Sequence, residues 1–465
     1  MKLLNSLYII FFTLIALQVN GQKYEQKLPE KTRILFLLDG SGSMLAKWGG
    51  GGQTRMDAAK RILGDIVDSL ASNTNVELAL RVYGHQYPKQ QNICNDTKLE
   101  VPFASKNHAQ IISKLNAIAP KGNTPITFAL EKAANDFSES KSTYRNIIIL
   151  ITDGIESCDG DPCSTSLALQ KKDIFLKPFI IGLGMTIADT KQFDCVGKFI
   201  DAKNRKELYK ALNESIHQSL DRTTATVELL SEKGNKTVSN INVTFINHFT
   251  KLPMYEFIHY RNKNGLPDTV DIDGILNYDV VVNTVPPVVV NNIVIKPGQH
   301  NTIRIKSPQG GLMIKQSESK AYGKEVQVIV KNRKTGSVIN AQPINTSHNY
   351  LIGNYDVDVL TLPRVQLRNI KIEENKPTQL LIDNPGIVNL KMTAPGYGSL
   401  YAINSSGKQE WVYTISENKS TERIVLQPGK YKVAFRAKNA PGSKFTSIKI
   451  FEIKSGSSIN LTLFN

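Results

Sequence analysis

At 465 residues the chain exceeds what one hydrophobic core organises and predicts two to four domains. A hydrophobic content of 41% with 21% charged residues is that of a folded globular protein and excludes large-scale disorder. The net charge is +16, of which residues 22–222 carry about +4 and residues 223–465 about +11. No run of basic residues stands out. The excess therefore reads either as scattered, solvated lysines or as affinity for an anionic cell-surface component, and no specific nucleic-acid site is expected.

Lys2, an apolar run from Leu7 to Leu17 and the small residue Gly21 predict a secretory signal peptide over residues 1–21. The run is shorter than the roughly 20 residues that a spanning helix needs, and no later segment is apolar enough. The mature chain is thus expected to be secreted (periplasmic, cell-surface or extracellular) with no transmembrane segment. Four cysteines, Cys94, Cys158, Cys163 and Cys195, form an even set that favours two disulfides in an exported protein. Their spacing does not cluster ligands for zinc.

Residues 32–220 alternate strand and helix patterns. Ile34–Leu38 is an unbroken apolar run suited to a strand buried on both faces. Met56–Leu70 has helical spacing with Ile62, Leu63, Ile66 and Val67 on one side. Strands are predicted at Val76–Tyr83, Leu99–Phe103, Asn146–Ile151, Pro178–Leu183 and Lys198–Asp201. Helices are predicted at His108–Ile118, Pro125–Phe137, Ser164–Lys171 and Lys206–Leu220. This alternation implies a mainly parallel sheet covered by helices on both faces.

Beyond Leu220 short β-branched segments alternate with Pro, Gly and Asn turns. Tyr278-Asp-Val-Val-Val, Tyr355-Asp-Val-Asp-Val and Tyr431-Lys-Val-Ala-Phe recur at intervals of 77 and 76 residues. Each is followed by a strand pair: Ile293 and Ile303, Ile370 and Leu380, Phe451 and Leu461 open the successive pairs, ten residues apart within each. Three tandem β-sandwich modules are expected, over residues 223–306, 307–384 and 385–465, after a first domain over residues 28–222.

The first strand leads into Asp39-Gly-Ser41-Gly-Ser43-Met44; Gly122-Asn-Thr124-Pro-Ile follows later, and the strand Asn146–Ile151 ends in Thr152-Asp153-Gly154. Ligands of open parallel sheets bind beyond the strand carboxyl ends, where Asp39 and Asp153 fall. Residues i, i+2 and i+4 of an extended loop point to one side, so Asp39, Ser41 and Ser43 can converge. Hydroxyls and carboxylates are hard donors that suit Mg²⁺, Ca²⁺ or Mn²⁺.

These motifs resemble the von Willebrand factor type A domain of bacterial secreted proteins, whose metal-ion-dependent adhesion site combines D-x-S-x-S with a distant Thr and a distant Asp. The resemblance covers about residues 30–220 and implies a doubly wound, Rossmann-like α/β fold. It also implies that Ser41, Ser43 and Thr124 coordinate Mg²⁺ (or Ca²⁺ or Mn²⁺) directly, while Asp39 and Asp153 act mostly through water. In an A-domain topology the cysteine loops share the metal face, which favours Cys94–Cys158 and Cys163–Cys195 over the other pairings.

The function expected on this reading is cation-dependent adhesion, with capture of an acidic residue of a protein partner. A scaffold or regulator of an envelope membrane complex is the alternative. An enzyme is not expected, since H-E-x-x-H and G-x-S-x-G are absent and a cation held by neutral hydroxyls activates water poorly. Two lesser features carry open readings. Glu156, Asp159 and Asp161 form either a second cation site or a solvated acidic loop, and Trp411 with Tyr413 either a sugar platform or strand packing.

Overall fold

The computed structural model describes residues 31–48, 52–137, 144–171, 179–185, 193, 196–236, 238–317, 319–323 and 325–463. The expected signal peptide and Cys195 lie outside these residues. Six strands form the first sheet: β1 (Lys31–Asp39), β2 (Val76–Tyr83), β3 (Thr97–Ala104), β4 (Tyr144–Thr152), β5 (Phe179–Leu183) and β6 (Lys198–Ala202). Their order is β3-β2-β1-β4-β5-β6, parallel throughout except for the antiparallel edge pair β2–β3. Between them run α1 (Arg55–Ser69), α2 (His108–Ala117), α3 (Ile126–Ala133), α4 (Pro162–Lys171) and α5 (Arg205–Leu220).

Central β1 shows why its sequence has no polar alternation. Ile34, Phe36 and Leu38 pack with Ile62 and Ile66 of α1 and Leu212 of α5, whereas Leu35 and Leu37 pack with Leu130 of α3 and Leu169 of α4. Each strand residue therefore enters one of two cores, and each large aliphatic side chain so buried contributes about 1.5–3 kcal/mol. Helix α1 starts at a capping box in which Thr54 Oγ1 accepts from the Asp57 amide and Asp57 Oδ2 accepts from the Thr54 amide, both at 3.1 Å. Among the described residues no helix is long and apolar enough to cross a membrane.

The rest of the described chain is all β, in three similar pairs of sheets. The first pairs the strands Thr269–Asp271, Thr224–Leu230 and His300–Lys306 with a sheet of Val288–Val294, Asn277–Val282, Asn242–Asn247 and Pro253–Ile258. The second joins His348–Leu351, Gln309–Lys315 and Pro377–Leu381 to Val338–Pro343, Gln327–Asn332, Gly353–Val359 and Val365–Ile372. The third joins Thr421–Leu426, Gly386–Met392 and Ser458–Leu463 to Gln409–Ile415, Gly396–Ile403, Gly429–Ala437 and Ser447–Ile453.

The recurring tyrosine has one structural job. Tyr278, Tyr355 and Tyr431 are buried, and their hydroxyls donate to the carbonyls of Asp273 (2.9 Å), Leu351 (2.8 Å) and Gln427 (2.6 Å) just upstream. This is the geometry of a tyrosine corner, which fixes how a strand enters its sheet. The alternation that follows, Val280 and Val282, Val357 and Val359, and Val433 and Phe435, fills the core below each ring.

The α/β domain and the first β unit share a joint. Arg145, near the start of β4, donates from Nε to Asp273 Oδ2 at 2.8 Å and from Nη2 to Oδ1 at 2.6 Å, while Nη1 donates to the Ser219 carbonyl. Both charged groups are buried, and Ile275 joins the α1–α5 core. Asp273→Ala leaves the Arg145 charge buried without its partner. The expected loss is about 3–5 kcal/mol in urea unfolding of the full chain. A loss below about 1 kcal/mol would show the joint to be dispensable.

Candidate metal centre

Parallel pairing of β1 with β4, with Leu38 opposite Ile151, brings the loops after both strands to one edge of the sheet. Asp39 ends β1 and is fully buried. Its Oδ1 accepts the Ser41 amide at 2.8 Å and its Oδ2 accepts the Thr152 hydroxyl at 2.7 Å. The first contact curls the Asp39-Gly-Ser-Gly-Ser loop back on itself, and the second ties it to the end of β4. Burial, reinforced by the negative charge of Asp153, raises the Asp39 carboxyl to about 6 against these hydrogen bonds.

The two serines face each other, with Oγ atoms 2.9 Å apart. Adjacent oxygens around an octahedral Mg²⁺ with bonds of about 2.0–2.1 Å lie about 2.9 Å apart. Ser43 Oγ donates its proton to Asp153 Oδ1 at 2.7 Å, so it accepts from the Ser41 hydroxyl and keeps one further lone pair. The other oxygen of Asp153 accepts from Arg55 Nη1 at 2.7 Å, so this carboxylate is oriented from both sides.

Thr124 arrives from the third direction. Ser41 and Gly122 form a parallel bridge, and the Gly42 amide donates to the Gly122 carbonyl at 3.0 Å. Thr124 is then locked to the segment beyond Asp153: its amide donates to Ser157 Oγ at 2.8 Å and its carbonyl accepts the Ser157 amide at 3.2 Å. Its hydroxyl makes no hydrogen bond among the described residues. Gly84, after β2, permits this closeness. It has φ +68, and a Cβ there would stand 2.2 Å from the Asn123 carbonyl oxygen.

The five residues thus supply three hydroxyls and two carboxylates at one edge of the sheet, a hard-oxygen set that fits Mg²⁺ or a similar divalent ion. The sequence reading missed Thr152, Arg55, Ser157 and Gly84. Thr152 stands in the quoted Thr-Asp-Gly motif but was given no role there, the other three lie outside the motifs, and each matters only through a neighbour that folding supplies.

A disulfide joins Cys94 to Cys158, linking the β2–β3 loop to the segment that follows Asp153. Cys163 is also disulfide-bonded, while its expected partner Cys195 lies outside the described residues. The acidic loop does not collect a second cation site. Glu156 accepts the amides of Thr127 (2.7 Å) and Cys158 (2.9 Å), and Asp161 accepts those of Cys163 (3.0 Å) and Ser164 (3.1 Å) at the start of α4. These carboxylates neutralise local amides rather than converging on a point, and the described residues contain no cluster of three or more acidic, His or Cys ligands.

Residues 34–215 match the family described as von Willebrand factor type A domain, so the first domain of this chain is a von Willebrand factor type A domain. It is followed by all-β units. Among curated proteins, YwmD of Bacillus subtilis (strain 168) is 27% identical over 207 residues, covering 43% of this chain and 91% of YwmD. YwmC of the same organism is 26% identical over 214 residues, covering 44% of this chain and 92% of YwmC. Among solved structures, the pilus adhesin SpaC from Lactobacillus rhamnosus GG aligns over 95% of this chain and 88% of its own, at 10% identity and a TM-score of 0.35. Proximal thread matrix protein 1 from the mussel byssus, solved with a zinc-occupied MIDAS motif, aligns over 45% of this chain and 56% of its own, at 17% identity and a TM-score of 0.33.

Two expectations follow from this geometry. Thr152→Val keeps the shape of the side chain but removes the Asp39 donor, so Mg²⁺ affinity should fall about 10–100-fold by calorimetry. Unchanged affinity would mean that Asp39 needs no such support. Replacing Cys94 and Cys158 together by serine opens a crosslink spanning 64 residues and should cost about 2–4 kcal/mol in denaturant unfolding.

Proposed function

We propose that this chain is a secreted or envelope-associated adhesion protein that captures an acidic side chain of a protein partner through a divalent cation. Ser41, Ser43 and Thr124 would hold Mg²⁺ (or Ca²⁺ or Mn²⁺), with Asp39 and Asp153 supporting it. The bound cation supplies a Lewis-acid position for the partner's carboxylate. The observation that carries the reading is the serine pair: two hydroxyl oxygens at the separation of neighbouring ligands in a Mg²⁺ octahedron, one of them already donating its proton to Asp153.

The protein's own residues perform three tasks in this reading. The serine and threonine hydroxyls ligate without neutralising the cation, which leaves it electron-poor toward an incoming carboxylate. Asp39 orders the loop from behind, through the Ser41 amide. Arg55 balances the charge of Asp153 and fixes its orientation. The domain divisions at residues 222, 306 and 384 belong to the same proposal, in which the β modules carry the adhesion domain outward as a spacer. The role is one of binding rather than catalysis.

Mg²⁺ titrated into the mature chain should give a saturable heat that disappears in Asp39→Ala. Ser41→Ala, Ser43→Ala and Thr124→Ala should each weaken it at least about tenfold. Circular dichroism should remain that of the wild type, since Asp39 is the last residue of β1 and Ser41, Ser43 and Thr124 lie in the segments beyond the sheet edge. Retention on a glutamate-conjugated resin should require Mg²⁺ and be reversed by EDTA. Equal cation affinity in wild type and Asp39→Ala would refute the site, and EDTA-insensitive retention would refute carboxylate capture through the cation.

A further inference from the structure

The third β unit departs from the other two at one register position. In the first, Asp279 follows the corner tyrosine and accepts from His248 Nδ1 (2.6 Å), Lys251 Nζ (2.7 Å) and the Asn292 amide (2.8 Å). In the second, Asp356 stands there and accepts from Arg333 (2.9 Å) and the Asn369 amide (2.8 Å). Asn292 and Asn369 have φ of +53 and +56 where the strand pairing shifts register, so aspartate and bulge form one device. In the third unit the same positions hold Lys432 and Ile450, and the pairing runs straight from Tyr431 opposite Phe451 to Phe435 opposite Ser447. An acidic, internally neutralised position has become basic.

The substitution sits within a wider change of charge and surface. Residues 223–306 hold eight basic and seven acidic side chains, residues 307–384 ten and seven, and residues 385–465 eleven and four. On the four-stranded sheet of the third unit, Tyr431, Val433 and Phe435 are buried, so the alternate residues Lys430, Lys432 and Arg436 lie on the outer face. One row across that face reads Trp411, Tyr401, Lys432 and Ile450. Lys432 Nζ lies 4.8 Å from the Tyr401 ring centre, and the Arg436 guanidinium 5.8 Å from that of Tyr397. Among the described residues Lys430, Lys432 and Arg436 have no carboxylate partner within ion-pair distance. Lys432 donates to the side-chain carbonyl of Gln409, and Arg436 to the Ala440 carbonyl at 3.0 Å.

Of the two readings open for Trp411 and Tyr413, a platform made by that pair does not form. Register shifts between Leu400 and Tyr401, so Trp411 stands opposite Tyr401 and Tyr413 opposite the buried Leu400. Tyr413 donates to Glu422 at 3.0 Å, while Trp411 is 58% exposed beside Tyr401. The platform is therefore Trp411 with Tyr401, a pair that strand alternation alone does not give.

We infer that this outer face, from Trp411 and Tyr401 to Lys432 and Arg436, binds an acidic polysaccharide. Flat rings stack on the C–H faces of sugar rings, and the cations beside them pair with carboxylates along the polymer. Lys432 and Arg436 lie four residues apart on one strand, about 13 Å, a span that suits several units of a chain rather than one small anion. A cleft of about 270 Å³ lined by Arg364, Lys408 and Lys430, with one acid, Glu410, carries basic groups from this unit to the second. A lipid surface fits less well. It requires one contiguous apolar face, whereas here Lys432 stands between the Trp411–Tyr401 pair and the exposed Ile450.

The test uses the mature chain with polygalacturonate, neutral dextran, and vesicles of phosphatidylglycerol and phosphatidylcholine, in the presence of EDTA. Polygalacturonate should bind and dextran should not. Trp411→Ala and Lys432→Glu should each weaken binding at least about tenfold with unchanged melting temperature, while Lys444→Glu, the same charge change off this face, should alter it less than about twofold. Asp39→Ala should leave it unchanged, which separates this surface from the metal centre. The proposal is overturned by binding to vesicles alone, by equal losses in Lys432→Glu and Lys444→Glu, by indifference to Trp411→Ala, or by dependence on the cation.

Discussion

The carboxylate of Asp39 is buried at the end of the central strand β1, and the loops of the candidate metal centre are organised around it. A buried carboxylate is costly unless its oxygens find donors. Here one oxygen takes the Ser41 amide and the other the Thr152 hydroxyl, so one side chain shapes the serine loop and fastens it to the neighbouring strand. The same burial, with Asp153 nearby, keeps its proton affinity high.

From that anchor the other candidate ligands are positioned in a chain of contacts. Ser41 meets Ser43, Ser43 meets Asp153, and Asp153 meets Arg55 at the first turn of α1. Thr124 is held through Ser157, whose neighbour Cys158 is bridged to Cys94. The disulfide therefore reaches Thr124 through one intervening residue, Ser157. It restrains a surface loop that has little core of its own, where a crosslink limits the freedom of the unfolded chain most usefully.

The β units show a different economy. Their common feature is a corner tyrosine over alternating apolar residues, which leaves the outer face free to vary. In two units that face is neutralised from within by aspartate, base and bulge; in the third it is left basic and aromatic. The joint at Arg145 and Asp273 sets the first unit against the base of the α/β domain, away from the edge where the ligand loops gather.

Much of this was legible in the chain itself. An apolar run such as Ile34–Leu38 states that a strand is covered on both faces, because no half-exposed strand tolerates it. The spacing of Asp39, Ser41 and Ser43 states that three oxygens leave one loop on one side. The interval between Tyr278, Tyr355 and Tyr431 states that one unit is used three times. These features are local, and period and residue type suffice to read them. Thr152, Arg55 and Ser157 became part of the site only because β1 lies beside β4 and the Gly122 loop crosses the serine loop. Likewise Trp411 joined Tyr401, and not Tyr413, because a register shift turned one ring outward and the other in. Residue type and local spacing determined which groups this protein has to offer. Strand order, register and bulges, set by packing between segments distant in sequence, decided which of those groups meet.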